Sequence, residues 1–320
     1  MRAAALLVSL AVPACWAQAV ISAHSGMVNY VIGEVELAGK PVKLDGAIFP
    51  EVRLGQILST KLGRAEILLT PGVFLRLDRD SSFRMVSNHL ADTHVEILSG
   101  SALVEANEIL RDNHITVKVC DTDTLLLKTG LYHFNADTGQ VRAFEGKAQV
   151  SGASNSTELK GGHTLLVGSS LTPDKFDRNK SKDQLYAWSV QRDQRLEVSN
   201  LSVARGLSSN SFSNSLWAWD PWMGTYTYLP RSGYSYNPFG IAWYSPATVW
   251  IASLPGNGMN QGNSSYGVNT SSQGYTPPGT TTSSPSSRVD GPTVVQTQPM
   301  GTPSSAVPSG AVARMSPPGR

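Results

Sequence analysis

The chain has 320 residues, 40% of them hydrophobic, with 26 basic and 24 acidic side chains and a formal net charge of +2. That length allows one or two domains, and the near-neutral balance offers no basic stripe of the kind that binds nucleic acid. Charged residues are only 16%, and the deficit is local: from Gly206 to Arg320 the only charged side chains are Asp220, Arg231, Arg288, Asp290, Arg314 and Arg320.

The N-terminus reads as a secretory signal. Arg2 is the positive start, Ala3 to Val12 is an uncharged, mostly apolar run, and Ala17-Gln18-Ala19 has the small-x-small pattern of a cleavage site. The expectation is a signal peptide over residues 1–19, a mature chain starting at Val20, and a periplasmic or secreted location. Val12-Pro13-Ala14-Cys15 is partly like a lipobox, which leaves lipidation of Cys15 open. With Cys15 removed, Cys120 is the one remaining cysteine, so an exported fold has no internal disulfide and relies on packing. Its place after Ile115-Thr116-Val117-Lys118-Val119 predicts a buried structural thiol. No later apolar stretch is long enough to span a bilayer, which takes about 20 residues.

From Gly26 to about Gly168 the pattern is strand after strand. Val28 to Leu37, Ala65 to Leu77, His94 to Glu105, His114 to Phe134 and Val141 to Val150 are rich in β-branched and aromatic residues, mostly bounded by Gly, Asp, Asn or Pro. Val73, Leu75 and Leu77 alternate along one side of their segment and predict a half-buried sheet face. Arg64 is expected at an exposed strand end, its stem lying over apolar surface. Short apolar stretches recur on either side of Gly33, Gly72, Gly100, Gly130 and Gly146, as hairpins or as rungs of an irregular solenoid would.

Within this region Leu54-Gly55-Gln56-Ile57-Leu58-Ser59-Thr60, Gly63-Arg64-Ala65-Glu66-Ile67-Leu68-Leu69 and Pro71-Gly72-Val73-Phe74-Leu75-Arg76-Leu77 resemble the core strands of FecR-like domains. Val95 to Val104 and Val141 to Val150 are similar to that family's closing strands. The resemblance covers about residues 28 to 150 and rests on turn glycines and core aliphatics, so it implies fold more than function. With Tyr186-Ala187-Trp188 beyond the domain, the chain also resembles exported FecR-domain proteins of uncharacterised role. The family includes periplasmic regulators that relay signals from outer-membrane transporters to a cytoplasmic sigma factor. That relay needs a cytoplasmic segment and a transmembrane helix, where this chain is expected to carry a cleavable signal.

The predicted fold class is all-β: an irregular β-sandwich or solenoid-like domain over residues 26–170, followed by one amphipathic helix and a disordered tail. The helix is expected over 181–205. Leu185, Trp188, Leu196 and Val203 form its apolar stripe, Ser181 is a candidate cap and Gly206 a stop. Arg192, Asp193, Arg195 and Glu197 are read as lying mostly off that stripe, and the helix as packing on the β domain. Residues 206–254 form an aromatic-rich extended arm that holds five of the chain's 7 Trp. Trp217, Trp219, Trp222, Tyr226, Tyr228 and Trp243 are the candidate ligand or partner contacts, because clustered Trp and Tyr offer large contact area at low entropy cost. The competing reading has these rings pinning the segment to the β domain. From Pro255 the composition of Gly, Ser, Thr, Asn, Gln and Pro predicts a disordered tail over 255–320.

No motif for chemistry emerges. None of the six histidines, His24, His89, His94, His114, His133 and His163, has a zinc-like helical partner. Asp78-Arg79-Asp80 and Asp121-Thr122-Asp123 suit turns better than calcium loops. There is no G-x-S-x-G elbow or phosphate loop. The expectation is a non-enzymatic binding or scaffolding module of the bacterial cell envelope, without cofactor or metal, its partner an envelope protein or a cell-wall glycan. The alternatives are a periplasmic signalling regulator working with a separate membrane partner, or a polysaccharide-binding module using the aromatic arm. A secreted hydrolase ranks last.

Overall fold

A computed structural model of the protein describes residues 20–21, 25–44, 49–168, 171–207 and 214–253. The expected signal, Cys15 and the expected tail from 255 lie outside the described residues. Two sheets face each other. The inner sheet, fully antiparallel, has the order β18 (Asp174–Lys175), β17 (His163–Leu166), β14 (Gln140–Glu145), β13 (Gly130–Asn135), β10 (Ser101–Ala106), β7 (Val73–Leu77), β6 (Arg64–Leu68) and β2 (Met27–Ile32). The outer sheet runs β16 (Ser156–Lys160), β15 (Lys147–Ser151), β12 (Thr122–Leu126), β11 (His114–Val119), β9 (Asp92–Ser99), β8 (Ser82–His89), β5 (Ile57–Thr60), β3 (Val35–Leu37) and β4 (Lys40–Pro41). It is antiparallel except for the parallel pair of β9 and β11. The all-β expectation holds as a sandwich, with a long helix beside it.

Most of the recurring glycines mark where the chain changes sheets, while Gly72 turns the β6–β7 hairpin within the inner sheet. Gly100 lies between β9 of the outer sheet and β10 of the inner one, with φ +68°, and Gly146 joins β14 to β15 with φ +93°. A Cβ at Gly100 would sit 2.2 Å from Ser81 Oγ, and one at Gly146 would sit 2.2 Å from Tyr132 Oη. Both corners therefore need glycine for conformation and for space. The stretches on either side are opposing layers of a sandwich and not solenoid rungs.

The inward faces of both sheets interdigitate in one core. Val28, Ile67, Leu75, Leu77, Val104 and Phe134 come from the inner sheet, and Leu58, Phe83, Val95, Ile97, Val117 and Val150 from the outer. Outer strands alternate as a half-solvated sheet should: in β11, Ile115, Val117 and Val119 are buried while Thr116 and Lys118 are partly exposed. The central inner strands do not alternate. All of β7 is buried, Phe74 and Arg76 included. The half-buried face expected there is corrected: the far side of the inner sheet is covered by a second layer.

That layer begins with α1 (Gln184–Gly206). Its N-cap is Asp183, whose Oδ1 accepts from Tyr186 N at 2.8 Å, in place of the expected Ser181. Gly206 is the last helical residue, followed by extended Leu207. Leu185, Leu196 and Val203 are buried as expected, but the same stripe carries Ser189, Arg192, Asp193, Ser199 and Asn200. The placing of Arg192 and Asp193 off the buried face is thereby corrected. Spacings of three and four residues put them in phase with the leucines, and a reading by hydrophobicity passes over them.

The expected extended arm is folded. β19 (Leu216–Asp220) and β20 (Thr225–Leu229) form a hairpin, and β1 (Val20–Ile21) pairs with β19. β21 (Tyr234–Tyr236) and β22 (Ala242–Tyr244) form a second hairpin, and α2 (Pro246–Ser253) follows. The layer is pinned by polar contacts as well as rings. Asn200 Nδ2 donates to Tyr228 O at 2.9 Å and Tyr244 O at 3.0 Å, and Asn29 Oδ1 accepts from Tyr226 N at 2.8 Å.

Two smaller expectations are also corrected. Cys120 is exposed, at φ +52°, in the turn joining β11 to β12, one residue past the buried alternation. Arg64 is not at a free end: its Nε lies 2.7 Å from Asp78 Oδ1, with its side chain 12% exposed.

Candidate functional site

The six candidate aromatics separate into two populations. Trp217, Tyr226, Tyr228 and Trp243 are buried, and Trp219 is partly so. Phe74 from β7 anchors them, its ring centroid 4.9 Å from that of Trp217 and 6.1 Å from that of Trp243. Tyr228 packs 5.9 Å from Trp243, and Phe49 lies 5.1 Å from both Trp219 and Tyr226. Edge and offset arrangements at these separations are the favourable ones. Burial and nearby Glu108, whose Oε2 accepts from the Tyr228 hydroxyl at 3.1 Å, push the Tyr228 phenol well above its ordinary range.

Trp222 differs. It is 88% exposed at the tip of the β19–β20 hairpin, beside Met223 at 44%. The tip is an ordered turn. Buried Asp220 accepts through Oδ1 from Trp222 N at 3.0 Å and Met223 N at 3.4 Å, the short-range bonding that makes Asp a turn former. The hairpin end borders a cavity of about 600 Å³, open to the surface, whose wall includes Tyr30, Leu44, Met223 and the cations Lys43, Arg192 and Arg195.

Beneath the layer lies a constellation that was not expected from sequence. Arg76 on β7 presents three nitrogens to three carboxylates: Nε to Glu66 Oε2 at 2.9 Å, Nη1 to Glu105 Oε2 at 2.7 Å, and Nη2 to Asp193 Oδ1. Arg192 on α1 adds a second guanidinium, its Nη2 at 2.8 Å from Glu66 Oε1 and its Cζ 4.1 Å above the Tyr30 ring. Asn29 Nδ2 donates to Glu66 Oε1 at 2.9 Å, and Asn107 Nδ2 to Glu105 Oε1 at 2.8 Å. Asn237 Nδ2 donates both to Glu105 Oε1 at 3.2 Å and to Asp193 Oδ2 at 2.8 Å. All of the charged groups are buried.

Burial pushes the Glu66 carboxyl up, but Arg192 and Arg76 outweigh it and hold the group at about 2. At Asp193 the same effect of burial prevails, and the charge of Glu105 adds to it: Asp193 stands well above the usual carboxylate range despite Arg76. A signal for this cluster does exist in the sequence. Glu66, Arg76 and Glu105 each interrupt an apolar run within a strand, and the register sets Glu66 opposite Arg76, the cross-strand pairing that favours opposite charges.

Among the described residues no group of His, Cys, Asp and Glu is placed to hold a metal ion. His89 ends β8, while His94 Nε2 lies 3.5 Å from Asp123 Oδ1. No described helix is long and apolar enough to cross a membrane.

No protein-family model matches the chain, and no curated protein matches it. Among solved structures, two crystal structures of a candidate anti-sigma factor from Parabacteroides distasonis ATCC 8503 are similar to it at 16% identity and a TM-score of 0.34. The matches cover 42% and 44% of this chain, and 64% and 72% of those chains. A likeness at that level carries no argument about function.

Proposed function

We propose that the protein is an exported, non-enzymatic FecR-like module of the bacterial cell envelope that binds a protein partner through the tip of the β19–β20 hairpin. The observation that carries this reading is Trp222: a largely solvated indole on a turn held by buried Asp220, beside an open cavity. Exposed aromatics displayed on rigid elements are the common anchors of protein interfaces. Two facts support the rest. Glu66 and Asp193, whose proton affinities are the most strongly altered among the acids, are sealed from any substrate. The rings a sugar platform would need, Trp217, Tyr226, Tyr228 and Trp243, are occupied in packing, which favours a protein over a glycan.

The test is capture from envelope fractions of the producing cell with the full chain and with Trp222→Ala. A specific envelope protein held by the wild type and lost with Trp222→Ala supports the reading. Equal capture by both removes the tip from the interface, and retention on purified cell-wall glycan would favour the polysaccharide alternative.

A further inference from the structure

The charged cluster beneath α1 does not balance. Two guanidiniums, Arg76 and Arg192, face three carboxyls, Glu66, Glu105 and Asp193, all buried. Ionised throughout, the cluster would carry a net charge of −1 in a low-dielectric interior, where an uncompensated charge is strongly disfavoured. The distribution shows where the deficit falls. Glu66 receives both cations, with Asn29 on the same oxygen as Arg192. Glu105 and Asp193 share the terminal nitrogens of Arg76 alone. The single Nδ2 of Asn237 reaches both of them, so the two carboxyls are bracketed by the same donors at both ends. Two carboxyls held that close cannot both ionise readily.

We infer that the α1 and aromatic layer docks on the inner sheet with one proton held between Asp193 and Glu105, and that loss of this proton loosens the layer. Asp193 is the only acid of the cluster that the helix contributes, so the proton sits at the joint between helix and sheet. The groups facing it are complete on every side: Arg76 from β7, Glu105 from β10, Glu66 from β6, Arg192 from its own helix, and uncharged Asn237 from the segment after β21. Tyr30 of β2 stacks under Arg192. The elevated proton affinity of Asp193 agrees with this geometry.

The direction of the pH dependence follows. A carboxyl whose affinity for protons is raised by folding binds more protons in the folded than in the unfolded state above the ordinary carboxylate range, near pH 4. Stability of the layer must then fall as pH rises from about 5 toward the folded-state value. Glu66 acts oppositely: its contribution is present above its unfolded value of 4.5 and is lost as pH falls toward about 2. The layer is thus firmest in mildly acidic solution.

The chain provides its own reporter. Trp188, Trp217, Trp219, Trp222, Trp243 and Trp250 all lie in the layer, the seventh Trp is Trp16, and the sandwich strands contain none. Thermal unfolding of the full chain, followed by Trp emission and by far-ultraviolet circular dichroism, should be measured at steps from about pH 5 to about pH 9. The Trp midpoint is expected to fall with rising pH in the wild type. The slope should be smaller in Asp193→Asn, where the amide stands in for the protonated acid and the His133–Asp183 contact at the helix start is unchanged. A flat wild-type profile, or the same slope in Asp193→Asn, overturns the inference. If Asp193→Asn fails to fold, infrared spectra of the wild type at neutral pH decide. A protonated-carboxyl stretch that moves on carbon-13 labelling of aspartate or of glutamate supports the shared proton, and its absence removes it.

Discussion

Glu96 in β9 and Arg76 in β7 have nearly the same local sequence: one charge between Val95 and Ile97, the other between Leu75 and Leu77. Their fates are opposite. Glu96 stands on the solvated face of the outer sheet, 18% exposed, 3.0 Å from Arg84 and 3.8 Å from Lys118. Arg76 stands on the far face of the inner sheet, sealed beneath α1, with a carboxyl on each nitrogen. The flanking residues alone do not separate them, although β9 carries further polar residues (Asp92, Thr93, His94) where β7 carries Phe74. The difference is made by what arrives more than a hundred residues later, Asp193 from α1 and Asn237 from the aromatic segment. A charge inside an apolar strand therefore means different things according to the second face of its sheet.

The largest expected effect is at Arg76. Arg76→Ala leaves Glu66, Glu105 and Asp193 facing one another with only Arg192 as cation. Removing one partner of a buried ionic group typically costs about 3–5 kcal/mol. The Trp-reported layer is expected to melt well before the strand signal, or the chain to lose cooperative folding. A stability within about 1 kcal/mol of wild type, measured by urea titration with both signals, would mean the cluster is wet and the two faces are alike.

This contrast also explains what the sequence could and could not convey. The outer sheet was legible: Ile115, Val117 and Val119 alternate with polar residues because one side meets water. The sandwich corners were visible as glycines, though not their role in switching sheets, since the space Ser81 and Tyr132 leave at Gly100 and Gly146 is set by long-range packing. The second layer was hidden. Its buried face carries Ser189, Arg192, Asp193 and Asn200, so helical periodicity in hydrophobicity is weak where helical periodicity in burial is strict. The aromatic segment was readable as rings without partners. Burial of Trp217 and Trp243 against Phe74 depends on a strand far away in sequence, and of the six candidate contacts only Trp222 is largely exposed.

An intermediate effect is expected at Trp243, which belongs to the apolar half of the same joint. Its side chain is fully buried between Phe74 and Tyr228. Trp243→Ala removes a large side chain and leaves a cavity, a change that costs about 3–5 kcal/mol in well-packed cores. Trp243 sits on a hairpin of two three-residue strands, which can shift inward more readily than a sandwich strand, so the lower end of that range is the expectation. The loss should appear in the layer's transition and spare the sandwich. A matching loss in both signals would show the two layers to be one cooperative unit, and would weaken the distinction between the sheets at its energetic root.

The smallest effect is expected at Arg84, the outer-sheet counterpart of Arg76. Its Nη1 lies 3.0 Å from Glu96 Oε2, a distance comparable to those around Arg76, but its side chain is 43% exposed. Water can solvate either partner when the other is removed, salt screens the pair, and holding two long side chains in one geometry costs rotamer freedom. Lys118 remains within 3.8 Å of the same carboxylate. Arg84→Ala should therefore change stability by about 0–1 kcal/mol, diminishing further at high salt, with no separation of the Trp and strand signals. Paired with Arg76→Ala, it sets burial as the main variable: the same residue type and similar ion-pair distances, on the solvated face of one sheet and the covered face of the other. A cost at Arg84 as large as that at Arg76 would mean the outer face is also covered in solution, which in this fold requires a second molecule lying on it.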